Sequence, residues 1–284
     1  MKGSQYHLAL RNGQEWILKA DPELEDWLQH LSSILMLRDA GPGKDRPSWR
    51  FCLSDTHQRG NNGDEWVIAR SHWLNNHVRT GGTDLISEIF PYDRGDPKED
   101  IARMMFAIQA LYLAVWPYGG IPVHAALLER NGEAILIAAP GGTGKSTCAE
   151  RIPLPWHALC DDSVLLVPAD GRYYAHPLPT WSDLIMRDLN DRRWNVGHAV
   201  PVTGIWFLEH GENDRAIPVG KGEASSRLYR SAVQVSRACL RKEFNETLYS
   251  RWHRALFHRC CDAVSYLSCG ILQATVDGTF WDCL

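Results

Sequence analysis

The chain has 284 residues, of which 34 are acidic and 30 basic, giving a net charge of −4 with 44% hydrophobic content. This is enough for one large domain or two modest ones with a sizeable core, and the charge argues against nucleic-acid binding by bulk electrostatics. No apolar run reaches membrane-spanning length, and the start, Met1-Lys2-Gly3-Ser4-Gln5-Tyr6-His7, lacks the apolar core of a signal peptide. A cytoplasmic protein with no membrane attachment is therefore expected.

In chain order, Tyr6–Leu10 and Glu15–Leu18 flank an Asn-Gly turn and read as a hairpin. Asp21-Pro22 then opens a helix, with Asp21 as N-cap, Pro22 at the first position and Leu24, Trp27, Leu28 and Leu31 as the apolar stripe. Residues 39–47 read as a loop. Strand-like pieces follow at 49–53 and 65–69, with further ones at 72–74 and 84–90. His57, His72 and His77 have no ligand spacing and read as surface or packing residues. Residues 1–95 thus form a small α+β region without a catalytic signature, open to a role in substrate recognition. Asp96-Pro97 caps the next helix, whose apolar positions run from Ile101 to Val115 at helical spacing until Pro117-Tyr118-Gly119-Gly120 stops it.

Residues 121–129 and 134–138 flank a second Asn-Gly turn, Asn131-Gly132, and form an antiparallel hairpin. Its second arm runs into Ala139-Pro140-Gly141-Gly142-Thr143-Gly144-Lys145-Ser146-Thr147, and a short helix follows through Ile152 until Pro153 and Pro155 end it. Strand, glycine-rich loop, Gly-Lys-Ser and helix make the Walker A arrangement. Glycines let several backbone N–H groups converge on a polyphosphate, and the helix N-terminus adds partial positive charge. Residues Ala139 to Thr147 are therefore the candidate nucleotide-binding residues. Lys145 reaches the β- and γ-phosphates, and the Ser146 hydroxyl ligates Mg²⁺. Ala139 replaces the first glycine of the pattern, which costs little at negative φ but on the order of 1 kcal/mol at positive φ.

Residues 156–167 read as one strand carrying the adjacent acids Asp161 and Asp162, with a return at 173–178 and a later strand at 205–208. Neighbours on a strand point to opposite faces, so both acids serve one site only if the strand twists or ends there. Residues 225–272 read as helical with breaks, and Arg227, Arg230, Arg241, Lys242 and Arg254 as a solvated face. Eight cysteines, including Cys239, Cys260, Cys261, Cys269 and Cys283, contain no C-x-x-C pair and read as reduced thiols. His258 beside Cys260 and Cys261 is the one local cluster that merits a metal test.

His124 on a hairpin arm, the Asn-Gly turn, A-P-G-G-T-G-K-S-T and then C-D-D-S-V, in that order, resemble the C-terminal kinase domain of HPr kinase/phosphorylase. They are closer still to the shorter HPr-kinase-like proteins of peptide-maturation cassettes, among them lasso-peptide kinases and SynChlorMet cassette proteins. The resemblance is carried by residues 120–210. It implies an α/β fold with an HPr-kinase-like P-loop core and a hairpin-containing mixed sheet over 96–284, preceded by the 1–95 region. It also implies an ATP- and Mg²⁺-dependent kinase that phosphorylates a serine hydroxyl of a peptide or small protein. In the implied roles Lys145 stabilises charge on the transferring group, His124 lies near the phosphates, one of Asp161 and Asp162 is the base, and the other helps hold Mg²⁺. Ser146 and Asp162 are the metal candidates. HPr kinases assemble through this domain, so a homo-oligomer is implied. The family's Glu-Ile-Arg-Gly segment has no counterpart, so the resemblance carries neither phosphorylase activity nor recognition of HPr. A nucleotide-binding accessory protein that binds a precursor peptide without transferring phosphate is the alternative.

Overall fold

A computed structural model of the chain describes residues 3–41, 46–54, 66–79, 83–92, 96–187, 189–237 and 246–284. His57, Glu65, Cys239, Arg241, Lys242 and the centre of the loop expected at 39–47 lie outside the described residues. The elements begin with β1 (Tyr6–Ala9), β2 (Glu15–Ala20), α1 (Glu25–Ile34), β3 (Arg38–Asp39), β4 (Ser48–Leu53), β5 (Trp66–Arg70), β6 (Leu74–Arg79) and β7 (Leu85–Ile89). Next come α2 (Pro97–Ile108), α3 (Ala110–Val115), β8 (Ile121–Val123), β9 (Ala125–Arg130), β10 (Glu133–Ala138), α4 (Lys145–Arg151), β11 (His157–Cys160), β12 (Ser163–Ala169) and β13 (Arg172–Leu178). The chain continues with α5 (Trp181–Met186), β14 (Val200–His210), β15 (Arg215–Pro218), α6 (Lys221–Ser236), α7 (Glu246–Tyr266) and β16 (Ser268–Ala274). The protein is mixed α/β with two mixed sheets. It divides into two compact units, one of residues 1–117, 179–197 and 236–246, the other of 118–178, 198–235 and 247–284. No helix among the described residues is long and apolar enough to cross a membrane, and the described cysteines are unbridged.

The first unit holds a 7-stranded sheet in the order β3-β1-β2-β4-β7-β6-β5. The expected hairpin forms, with Leu8 opposite Trp16. Strands β2, β4 and β7 alternate buried and part-exposed residues, the signature of a sheet with one covered face. Trp16, Leu18, Trp49 and Phe51 on that face are fully buried, as are Leu28 and Leu31 of α1. The two expected helix caps differ. The Asp96 carboxylate accepts a hydrogen bond from the Lys98 amide and caps α2. Asp21 makes no such bond, because Pro22–Leu24 forms a 3₁₀ turn before α1 and the carboxylate instead pairs with Arg50 at 2.7 Å. His77 is a packing residue, 3% exposed and bonded to Glu88. Residues 96–117 and 179–197 belong to this unit, and the Trp194 and Val196 amides bond the carbonyls of Ile34 and Leu35.

The second unit holds a 9-stranded sheet, ordered β11-β9-β10-β14-β13-β12-β8, with β16 beside β14 and β15 beside β16. The β9–β10 hairpin is antiparallel as expected, and Asn131 and Gly132 at its turn both have positive φ. On its other edge β10 runs parallel to β14. Strand β14 is longer than the expected 205–208. Its first residues pair with β13, and from Gly204 onwards it pairs in parallel with β16.

Two expectations are corrected here. Residues 268–274 are a strand rather than helix, because they fill the edge of β14 and bring β15 in beside them. Residues 156–167 are not one strand, since β11 stops at Cys160 and β12 starts at Ser163. The register nevertheless continues across this break, with Cys160 opposite Leu127 and Val164 opposite Val123. The facing chain is interrupted at the same level, between β8 and β9 at His124.

The packing of β16 can be tested at Gly270. A Cβ there would lie 2.3 Å from the Trp206 ring of β14 and 2.8 Å from the Ile217 carbonyl of β15. Gly270→Ala is expected to destabilise the protein by about 1–3 kcal/mol through overpacking. Gly222→Ala meets nothing within 4 Å and is expected to be neutral or stabilising by up to about 1 kcal/mol in α6. Urea denaturation of both variants checks the contrast.

Candidate functional site

The glycine-rich loop leaves the end of β10 and enters α4, so its placement depends on both elements. One face of β10, Ile135 and Ile137 with Ala139 beyond it, packs with Cys148 and Ala149 of α4 in a core that also contains Ala126, Leu128, Trp156 and Leu272. Within the loop Gly142 has φ 77° and Gly144 φ 100°, values that a residue with a Cβ adopts only under strain. Ala139 is not among the positive-φ residues, so alanine in place of the first glycine costs little. Helix α4 has only 7 residues. Anion binding here would therefore rest on loop amides and Lys145 rather than on a long helix dipole.

Lys145 turns inward and is 5% exposed. Its Nζ lies 2.9 Å from the Ala139 carbonyl, 3.3 Å from the Pro140 carbonyl and 2.8 Å from His124 Nε2. An ammonium has three protons to donate and no lone pair, so these three acceptors satisfy it. Burial lowers the pKa of Lys145, while Asp162 and Asp161 oppose the shift. Both acids therefore act on the same lysine. The strand break makes this possible by freeing Asp161 and Asp162 from the two-faced geometry of a continuous strand.

His124 links the lysine to Asp162. Its Nδ1 lies 2.9 Å from the Asp162 carbonyl and 3.2 Å from Asp162 Oδ1. Both partners are acceptors, so Nδ1 carries the proton. Nε2 faces an ammonium and must accept, which assigns a neutral ring in the Nδ1–H tautomer. Burial works against the Asp162 carboxylate, but the hydrogen bond from His124, the Lys145 charge and the Ser163 hydroxyl together hold it below its usual range. Asp161 is 7% exposed, whereas the Asp162 side chain is 37% exposed.

The structure thus brings Lys145, His124 and Asp162 together at the loop, with the Asp161 charge also acting on Lys145. Pro140, Gly141, Gly142 and Thr147 lie exposed around them, with Thr143, Gly144 and Ser146 half-buried. Ser231 of α6 was not singled out from the sequence. It is buried and donates to the His124 carbonyl at 2.9 Å. One serine in a helical stretch carries no sequence signal, and only its burial against His124 marks it. Among the described residues no three His, Cys, Asp or Glu side chains form a metal site by themselves, and His258, Cys260 and Cys261 do not form one. The donors expected for Mg²⁺, one hydroxyl and one carboxylate, suit an ion whose other ligands are phosphates and water.

Fold and site define a mixed α/β protein with a strand–glycine loop–helix unit and a buried Lys–His–Asp chain beside it. The model of the SynChlorMet cassette protein ScmC family matches residues 86–284. The chain belongs to that family. The match runs well past residues 120–210, taking in α2, α3, α6, α7 and β16. No curated protein matches the sequence.

The His124–Asp162 link has a pH signature. A carboxyl whose folded pKa lies below its unfolded one contributes stability above the unfolded value and loses that contribution as pH falls through the folded value. Asp162→Asn is therefore expected to melt below the wild type at neutral pH, and this gap should narrow on acidification through and below the carboxylate range. Thermal melts across pH check it. A gap that stays constant would show that Asp162 does not couple to folding in this way.

Proposed function

We propose that the protein is an ATP- and Mg²⁺-dependent kinase with an HPr-kinase-like P-loop core, transferring the γ-phosphoryl group to a serine hydroxyl of a peptide or small protein. The observation that carries this reading is the convergence of Lys145, His124 and Asp162 on one glycine-rich loop, with Asp161 beside Asp162 in the chain. Phosphoryl transfer requires positioned positive charge on the transferring group and a carboxylate that accepts the proton of the attacking hydroxyl. In this reading the loop amides from Gly141 to Ser146 hold the phosphates. Lys145 exchanges its carbonyl partners for phosphate oxygens while His124 keeps its Nζ aligned. The carboxylate of Asp162 is half-buried and more open than that of Asp161, which supports it as the base that an acceptor hydroxyl reaches. Asp161 then takes the metal-linked role, together with Ser146. Bound Mg²⁺ would neutralise charge on the β- and γ-phosphates. The cassette family, taken with the resemblance to peptide-maturation kinases, supports a peptide acceptor.

One observation favours the second reading, a nucleotide-binding accessory protein without transfer. All three protons of Lys145 already have acceptors within the protein, so this lysine is satisfied without a ligand.

Lys145→Met removes a charge-assisted contact and is expected to weaken MgATP binding roughly ten- to hundredfold with the fold intact; calorimetry and circular dichroism check this. Asp162→Asn should keep MgATP binding but lose phosphotransfer by roughly 10²–10⁴-fold, whereas Asp161→Asn should lose both. Mass spectrometry of peptides encoded beside the gene, after incubation with MgATP, reads the transfer. Binding without transfer to any of them by the wild type would favour the accessory reading.

A further inference from the structure

A cleft of about 330 Å³ opens beside the glycine-rich loop, on the β14 side of β10. Its floor is apolar, formed by Ala139 with Phe207 and Leu208 of β14, and its polar wall includes Glu209 and, from one face of α6, Arg230 and Gln234. We infer that this cleft takes the nucleoside half of the nucleotide, with Glu209 reading the ribose hydroxyls. The inference rests on the proposed binding of polyphosphate by the loop.

The cleft is continuous with the loop, because Ala139 belongs to both and a Cβ at Gly141 would lie 3.9 Å from Gln234 Nε2. It lies outside the carboxyl ends of β10 and β14, the parallel pair, where α/β sheets take their ligands. His124 is on the opposite side of β10, at the start of β9, and the two acids follow β11, the strand beyond it. A nucleotide laid across the loop therefore directs its terminal phosphate towards the acids and its nucleoside over β14.

The groups in the cleft suit this occupant. An apolar lining from Ala138, Ala139 and Phe207 accepts a heteroaromatic base. Glu209 Oε1 accepts a hydrogen bond from Arg227 at 2.8 Å, and Arg227 is also tied to Glu223, so the carboxylate is held in place. Its Oε2 has no hydrogen bond among the described residues. An ionised carboxylate only accepts, so it selects a donor such as a ribose hydroxyl. Gln234 makes no hydrogen bond among the described residues, and Arg230 makes one long bond, from Nε to the Ser226 carbonyl at 3.4 Å. An amide suits a base edge and a guanidinium suits the phosphates. The volume, at the low end for small-ligand sites, suits one nucleoside rather than a stretch of acceptor peptide.

Calorimetry of the full chain with Mg²⁺ and each of tripolyphosphate, ATP and 2′,3′-dideoxyATP tests this. ATP should bind at least about tenfold more tightly than tripolyphosphate, and the dideoxy analogue several-fold more weakly than ATP. Glu209→Ala should abolish the difference between ATP and the dideoxy analogue while leaving tripolyphosphate affinity unchanged. Gln234→Ala, at an exposed position, should weaken ATP but not tripolyphosphate. If tripolyphosphate and ATP bind equally, and both depend on Lys145, the cleft assignment is overturned and the loop's phosphate role stands. If neither binds, both fall.

Discussion

A buried ammonium must have its protons accepted, and at Lys145 this requirement organises the site. An uncompensated charge at that depth would cost several kcal/mol. Three acceptors remove the penalty, the consecutive Ala139 and Pro140 carbonyls just beyond β10 and the His124 ring from the β8–β9 junction. The ring can accept only while its other nitrogen is held as a donor, which Asp162 ensures. Ser231 fixes the His124 backbone from α6. The loop, the β8–β9 junction, the β11–β12 junction and α6 are thus linked through Lys145, His124 and Ser231.

The sheet makes this meeting possible by being interrupted twice at one level. With Val123 opposite Val164 and Leu127 opposite Cys160, the register passes through both breaks without slipping. A one-residue slip would send the facing side chains to the other surface. An unbroken pair of strands would force Asp161 and Asp162 onto opposite faces. The breaks release the acids from that constraint, and Asp162 meets His124 there, with Asp161 adding its charge to the field at Lys145.

The same arrangement bears on how a ligand would enter. The acceptors now holding Lys145 are two loop carbonyls and a neutral imidazole, and phosphate oxygens are stronger partners for an ammonium. Exchanging one for the other needs no new charge in the protein. The exchange would take place where Ala139 also borders the cleft between β14 and α6.

The sequence by itself determined the features that arise from local chemistry. The Asn131-Gly132 hairpin, the Asp96 cap and the strand–loop–helix around Gly144 each follow from the backbone preferences of a few adjacent residues. So does the order of His124, the loop and the acid pair along the chain. Only the tertiary structure decided what depends on partners distant in sequence. Asp21 has the composition of a cap, but Arg50 on β4 takes its carboxylate. Ser268–Ala274 becomes a strand because β14 presents an open parallel edge, and parallel pairing leaves no local turn signal. The strand break at Asp161-Asp162 lies within one residue of the break at His124 on the facing chain, and Ser231 matters only because α6 brings it against His124. Propensity acts over a few residues, whereas burial and pairing act across the whole sheet, so the site's residues could be named from the sequence but not their mutual geometry.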